Sequence, residues 1–253
     1  MPASANRAVV FVKPHAALAP VIAFVRDALS RGKIEILSQR VRSGEEIARE
    51  GVVDRHYAAI ADYAMARPPL EAPLPAAGLG AFQARFGIPF AASEITNSAE
   101  LLRRHLLSPA ELGSLWVAGE FVKLAPGFYA GRIEIPGDGM RFVVNGFYPV
   151  MREKVTRQGA TVVCLDVAVP PDALTWHAFR SDTIGATNPA DARPGSVRAE
   201  LRRRYAELGL PAEPTMQDNG VHASAGPLEG SRERVVWLGA NPNEDPFLLS
   251  LIH

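Results

Sequence analysis

The sequence predicts an α/β or α+β sandwich interrupted by one long insertion, and three observations lead there. Short β-branched runs alternate with amphipathic stretches at both ends of the chain, the pattern of a layered sheet-and-helix domain. That alternation is broken by ARPPLEAPLPAAGLG, dense in Pro, Gly and Ala, which reads as a boundary. The chain has 253 residues, 47% apolar and 21% charged, enough to bury a core as one large domain or two small ones.

Taken in order, RAVVFVK (Arg7 to Lys13) reads as a buried strand ending at Pro14. Lys13 is thereby placed at a strand end, where ligand contacts collect in open sheets. APVIAFVRDALS predicts a helix with Ile22, Val25 and Leu29 on one face, closed by Gly32. KIEILSQRVR reads as a second strand through Ile34, Ile36 and, less cleanly, Val41. SGEEIARE opens a helix capped by Ser43, with Glu45 and Glu46 favourable to its dipole. DRHYAAIADYA carries another short helix. The long insertion, residues 64–141, holds AFQARF, helices at AELLRRHLL and SPAELGSLW, and a strand at GRIEIP. So long a segment needs structure of its own, as a subdomain within one 1–253 domain. FYPVMREKVTRQG then predicts a helix closed by Gly159, and ATVVCLDVAV a strand buried on both faces. PPDALTWHAFRSD resumes helical spacing. VRAELRRRYAELG predicts a basic helix closed by Gly209, GVHAS a short strand, GSRERVVWLG a helix, and NPNEDPFLLSLIH a surface tail.

The charge balance, 27 basic against 27 acidic residues, supplies no global field for nucleic acid or an anionic membrane, so anion binding must be local. A single cysteine, Cys164 in an apolar run, excludes an internal disulfide framework and reads as a buried structural thiol. MPASANR is unlike a signal peptide, and no run is long and apolar enough to span a bilayer, so a cytoplasmic protein is expected. Walker and dinucleotide glycine loops, zinc-ligand spacings and a G-x-S-x-G elbow are all missing. What remains is residues 180–233, which gather Arg180, Thr187, Arg198, Asn219, His222, Ser224 and Glu233. Two guanidinium forks, a hydroxyl, an amide and a histidine among small residues are the types a phosphate-handling site needs.

Here a resemblance becomes specific. GATNPADARPGSVR, Gly185 to Arg198, is close to the G-A-T-N-P-x-x-A-x-P-G-[TS]-[IV]-R run of nucleoside diphosphate kinases. NGVHASA followed by ERVVWL is similar to that family's N-x-x-H-G-S-D and E-x-x-x-W-F. VKPH stands for its I-K-P-D, His56-Tyr57 for its H-Y, and FYPVM through GATVV for its F-[FY]-x-x-M and G-x-x-V. The resemblance runs to about Tyr63 and again from about Phe142 to Leu238. It implies a ferredoxin-like sandwich, a central antiparallel sheet flanked by helices, from which the inserted subdomain emerges.

The resemblance also implies roles. His222 accepts the γ-phosphoryl group of a nucleoside triphosphate, ATP for instance, and passes it to a nucleoside diphosphate. Glu233 orients the imidazole and Ser224 supports Glu233. Lys13, Arg180, Arg198 and Thr187 bind phosphates, Asn219 meets the sugar, Tyr57 helps hold the transferring group, and Phe147 or Tyr148 stacks on the base. Mg²⁺ comes with the nucleotide phosphates and no protein cage binds it. Nucleotides are then the partners, in a homo-oligomer for which a dimer is the expectation. Four departures follow. Arg180 stands one residue further from Thr187 than in the family, a step that a small bulge would absorb. HASA replaces H-G-S-D at Ala223 and Ala225. A basic segment containing RRRYAELG lengthens the stretch before Asn219, and His15 stands where the family has aspartate. They raise two further expectations: the same chemistry on a specialised phosphorylated acceptor, or a nucleotide-binding regulator without turnover.

Overall fold

Strand β1 (Asn6–Val12) opens the chain with its last five residues buried. The computed structural model describes residues 6–170 and 174–250. They form two compact units, one built from the chain up to Glu50 and from Gln158 onward, the other from Gly51 to Arg157. After β1 the chain turns at Pro14 and forms helix α1 (Ala19–Arg31), which Gly32 terminates. Its buried stripe is Val21, Phe24, Val25 and Leu29; Ile22, expected on that face, is only half-buried. Strand β2 (Glu35–Ser43) is irregular between Ile36 and Ser38, which leaves Leu37 exposed and breaks the alternation. Val41 faces outward as a result, and the inward position falls to Arg42, 2% exposed. Its guanidinium donates to the Trp237 carbonyl and to Glu46 and Glu50. Helix α2 (Gly44–Arg49) starts as expected, Ser43 Oγ accepting from the Glu46 amide.

The second unit contains α3 (Val52–His56), α4 (Ala58–Met65), α5 (Ala76–Phe86), β3 (Thr96–Asn97), α6 (Ser98–His105) and α7 (Pro109–Ala118). It continues with β4 (Glu120–Ala125), β5 (Phe128–Ile135), β6 (Gly139–Val144) and α8 (Tyr148–Thr156). Its sheet runs β3-β6-β5-β4, antiparallel except for the β3–β6 pair. Phe82, Phe86, Phe90 and Phe128 build one core cluster; Leu101, Leu112, Trp116 and Ile133 build another. The unit is wider than residues 64–141, because α3, α4 and α8 fold as part of it. The expected helices at α6 and α7 and the strand β5 are present, and Ser108 and Glu111 close a full capping box on α7. Strands β4 and β6 went unread. β4 alternates exposed and half-buried residues such as Phe121 and Lys123, so its apolar signal is weak.

The first unit resumes with β7 (Thr161–Val169), buried from Val162 to its end and paired to β1 and β2. Cys164 is fully buried there, and burial pushes its thiol up to about 12. The start of the helix expected at PPDAL falls on residues 171–173, outside the described residues. Helix α9 (Trp176–Ala178) runs into a π-helical turn, Phe179–Ile184. Then come α10 (Val197–Arg203), β8 (Val221–Ala223), α11 (Pro227–Glu233) with a second π turn, Arg234–Leu238, and α12 (Pro246–Ser250). The expected basic helix is thus shorter than its pattern, ending at Arg203, with Gly209 in a left-handed turn. The sheet order is β2-β7-β1-β8, antiparallel throughout. This is the split βαβ arrangement of a ferredoxin-like sandwich. One sheet face, with Val10, Val12, Leu165, Val167 and Val221, packs with α1 and Leu201 of α10 into the main core. A strand two-sided in this way reads as a continuous apolar run, which is what VVFV and TVVCLDVAV are. Among the described residues no helix is long and apolar enough to cross a membrane.

Candidate functional site

The site begins with the second face of β1. Side chains alternate along a strand, so Val9 and Phe11 point away from the core that Val10 and Val12 enter. Phe11 lies opposite His222 on β8, and the two rings stack with centroids 4.5 Å apart at 17°. Trp237, 1% exposed, packs against the same Phe11 at 4.5 Å. His222 is therefore seated on an aromatic floor, with 18% of its side chain exposed.

Helix α11 delivers the carboxylate. A Cβ at Gly230 would lie 2.3 Å from the Arg7 carbonyl, so only glycine lets the helix press onto β1. Glu233, three residues on, falls on the same helix face and lies over β8. Its oxygens are 3.0 and 3.1 Å from His222 Nε2. Ser224 Oγ donates to Glu233 Oε2 at 2.7 Å and accepts the Val9 amide at 2.9 Å. Ser224 is fully buried and Glu233 is 8% exposed, so water competes little for these bonds. This His222–Glu233–Ser224 chain joins all three residues that the sequence singled out for catalysis. A carboxylate facing Nε2 favours the tautomer with its proton on that nitrogen.

The flanking loops bring in the other candidates from this unit. Lys13 follows β1; its amide bonds the Gly220 carbonyl at 2.9 Å and its Nζ lies 3.4 Å from the Gln217 carbonyl. Asn219, 3% exposed, donates through Nδ2 to the Thr187 carbonyl at 2.9 Å, which ties the GATNP loop to the start of β8. Its buried Oδ1 has no hydrogen-bond partner among the described residues. Thr187 itself is exposed. Arg198, 5% exposed, donates to the carbonyls of Gly185 and Val221, both at 2.9 Å. Arg180 donates to the carbonyls of Ala223 and Ser224. Arg180 lies in the π turn Phe179–Ile184, which the Gly185 amide closes on the Arg180 carbonyl at 3.0 Å. His15, in the aspartate position, accepts the Gly220 amide through Nε2 at 3.2 Å.

Tyr57 and Phe147 belong to the second unit. Tyr57 is half-buried at the end of α3, edge-on to His56 at 4.2 Å. Phe147 is half-buried near Trp116 and Tyr129. Tyr148 is fully buried and donates to Asp54 at 2.5 Å, so of the two aromatics weighed for base stacking only Phe147 keeps an exposed face. The RRRY face is occupied: Arg202, Arg203 and Arg204 pair with Glu213, Glu200 and Glu207. Sequence reasoning missed Phe11, and it met Trp237 and His15 only as positions in the motifs, without their contacts. Phe11 was legible in principle, since period 2 in VVFVK puts it opposite the face of Val10 and Val12.

No family model matches the chain. A nucleoside diphosphate kinase of Symbiobacterium thermophilum is 33% identical over 75 residues, 28% of this chain and 43% of that protein, so the match spans less than half of the relative. Among solved structures, a nucleoside diphosphate kinase from Encephalitozoon cuniculi aligns at TM-score 0.44 and 13% identity, covering 96% of this chain and 99% of that one. An NDP kinase from Pyrobaculum aerophilum aligns at 0.45 and 15%, covering 95% and 98%. A transition-state mimic of the Borrelia burgdorferi enzyme, with bound vanadate and ADP, aligns at 0.44 and 15%, covering 95% and 89%. What the chain is similar to, in sequence segment and in solved structures alike, is nucleoside diphosphate kinase, at low identity.

Proposed function

We propose that the protein is a divergent nucleoside-diphosphate-kinase-like phosphotransferase. It moves the γ-phosphoryl group of a nucleoside triphosphate such as ATP to a nucleoside diphosphate through phospho-His222. The observation that carries this reading is the Nε2–Glu233–Ser224 chain. A neutral imidazole with Nε2 protonated attacks phosphorus through Nδ1, and Glu233 stabilises the positive ring as the N–P bond forms and the bond from phosphorus to the leaving diphosphate oxygen breaks. The second half-reaction reverses this with a new diphosphate, a ping-pong cycle. Lys13, Thr187, Arg180 and Arg198 are assigned to the phosphates. Asn219 is assigned to the sugar, its unpaired Oδ1 supplying an acceptor for a hydroxyl. Tyr57 and Phe147 are assigned to the transferring group and the base. Both Glu233 oxygens lie within hydrogen-bond distance of His222 Nε2, and one also accepts from Ser224, so the carboxylate is set to orient the ring. Mg²⁺ then enters as the nucleotide complex, part of the substrate. The protein acts as a cytoplasmic homo-oligomer, dimeric in the simplest case.

The test is incubation with γ-labelled ATP and Mg²⁺. Acid-labile, base-stable label that is lost in His222→Ala, and chased by nucleoside diphosphates, is the expected result. Nucleotide binding without label in the wild type would overturn it in favour of a regulator. Label that chases only onto another phosphorylated compound would favour a specialised acceptor.

A further inference from the structure

β8 is the edge strand of its sheet, and an edge strand presents an unpaired row of carbonyls. The Ser224 amide bonds the Val9 carbonyl and the Lys13 amide bonds the Gly220 carbonyl, with Phe11 opposite His222 between them. Alternation along the strand then turns the carbonyls of Val221 and Ala223 away from β1, one on each side of His222. Side chains meet both. Arg198 takes the Val221 carbonyl at 2.9 Å, and Arg180 takes those of Ala223 and Ser224. Trp176 Nε1 continues the row at the Ala225 carbonyl, 2.8 Å away.

Gly185 links the two arginines. Its amide bonds the Arg180 carbonyl at 3.0 Å, and its own carbonyl accepts from Arg198 at 2.9 Å. It does so at φ +94°, and a Cβ there would lie 2.5 Å from Ser196 Oγ. The result is a closed frame, Arg180–Gly185–Arg198, holding the histidine strand along the edge that lacks a neighbouring strand. Charge-assisted bonds to buried carbonyls are about twice as strong as neutral ones, so the frame is stiff in the absence of any ligand.

We infer that Arg180 and Arg198 are positioning residues for His222. They fix the height and rotation of its backbone, and so the aim of Nδ1, before a nucleotide arrives. A guanidinium has five N–H donors, so this role stands alongside phosphate binding and adds to it. The functional consequence rests on the phosphohistidine reading; the frame itself does not.

Lysine keeps the positive charge but lacks the planar fork by which Arg198 reaches two carbonyls through Nη1 and Nη2 and the length that brings Arg180 Nη1 to its own two, which makes Arg198→Lys and Arg180→Lys the informative variants. The nucleotide-free protein is measured first. Amide hydrogen exchange of residues 221–223 should quicken by about tenfold or more in either variant, and the ¹⁵N shifts of the His222 ring should show its tautomer preference weakened. If both readouts match the wild type while nucleotide binding weakens, the arginines act on phosphate alone and the inference is overturned. It is equally overturned if nothing changes in either state. Should Arg198→Lys, the more buried change, fail to fold, the half-buried Arg180 carries the test. A wild type that forms no phosphoenzyme removes the proposed function without touching these ligand-free measurements.

Discussion

Ser224 shows how much one hydroxyl does here. Its Oγ accepts the Val9 amide and donates to Glu233, both in a buried setting. Ser224→Ala should cost about 1–3 kcal/mol in urea unfolding, because it takes the hydroxyl acceptor from a buried amide and one hydrogen bond from a buried carboxylate. Glu233→Gln keeps the shape but removes the charge and the tautomer bias; labelling of His222 should slow by ~10²-fold or more with little change in stability. Cys164 gives a contrasting forecast. Its burial and raised thiol make it inert, so native protein should resist iodoacetamide and urea-unfolded protein should react fully. At this scale the motifs singled out His222, Ser224 and Glu233, which the structure joins by hydrogen bonds. The sequence could not show the partners of Arg180 or His15, because backbone carbonyls and amides look the same in every residue.

Elements were legible where their ends carry chemical signals. Ser43 and Ser108 start helices with their hydroxyls, and Gly32 ends one. β4 and β6 lacked such signals, since half-exposed strands mix lysine, glutamate and arginine with their apolar residues. Their sheet imposes a tight fit all the same. Trp116 lies between Gly131 and Gly146, where added Cβ atoms would come within 2.4 and 2.6 Å of its ring. Gly131→Ala and Gly146→Ala should each destabilise by about 1–3 kcal/mol in thermal or urea melts. On the helical side of the same unit, Asp54 joins α3 to α8, accepting from Tyr148 and from Arg152 at 2.8 and 3.0 Å. Burial would raise its carboxyl, but the bonds from Arg152 and Tyr148 outweigh that and hold it below the ordinary carboxylate range. A carboxyl lowered by folding contributes fully above its unfolded value, near 4, and loses that contribution as pH falls through the lower folded value. Acid should therefore weaken the α3–α8 junction in wild type, and Asp54→Asn should flatten that pH dependence in unfolding titrations.

At the scale of the molecule, each unit has its own sheet and its own clusters of buried apolar side chains. Replacing residues 51–157 by a flexible Gly/Ser linker should leave a cooperative melt and the native β7–β1–β8 pairing, read by amide exchange. The sequence announced the interruption through its proline-rich run. It did not announce the strand order, because alternation along one strand says nothing about its neighbour; the order came only as an implication of the GATNP and NGVHAS motifs. The π turn at Phe179–Ile184 has a last consequence, for chain length. It holds one residue more than an α turn would, between two points that both matter, Arg180 and Gly185. Deleting Ser181 should let the turn relax to α geometry, with the loop after Gly185 and the reach of Arg180 retained. The same deletion in α10, where no slack exists, should swing Leu201 out of the core and cost the fold. This turn is the chain's expansion joint: length can be added or removed there without moving what lies on either side.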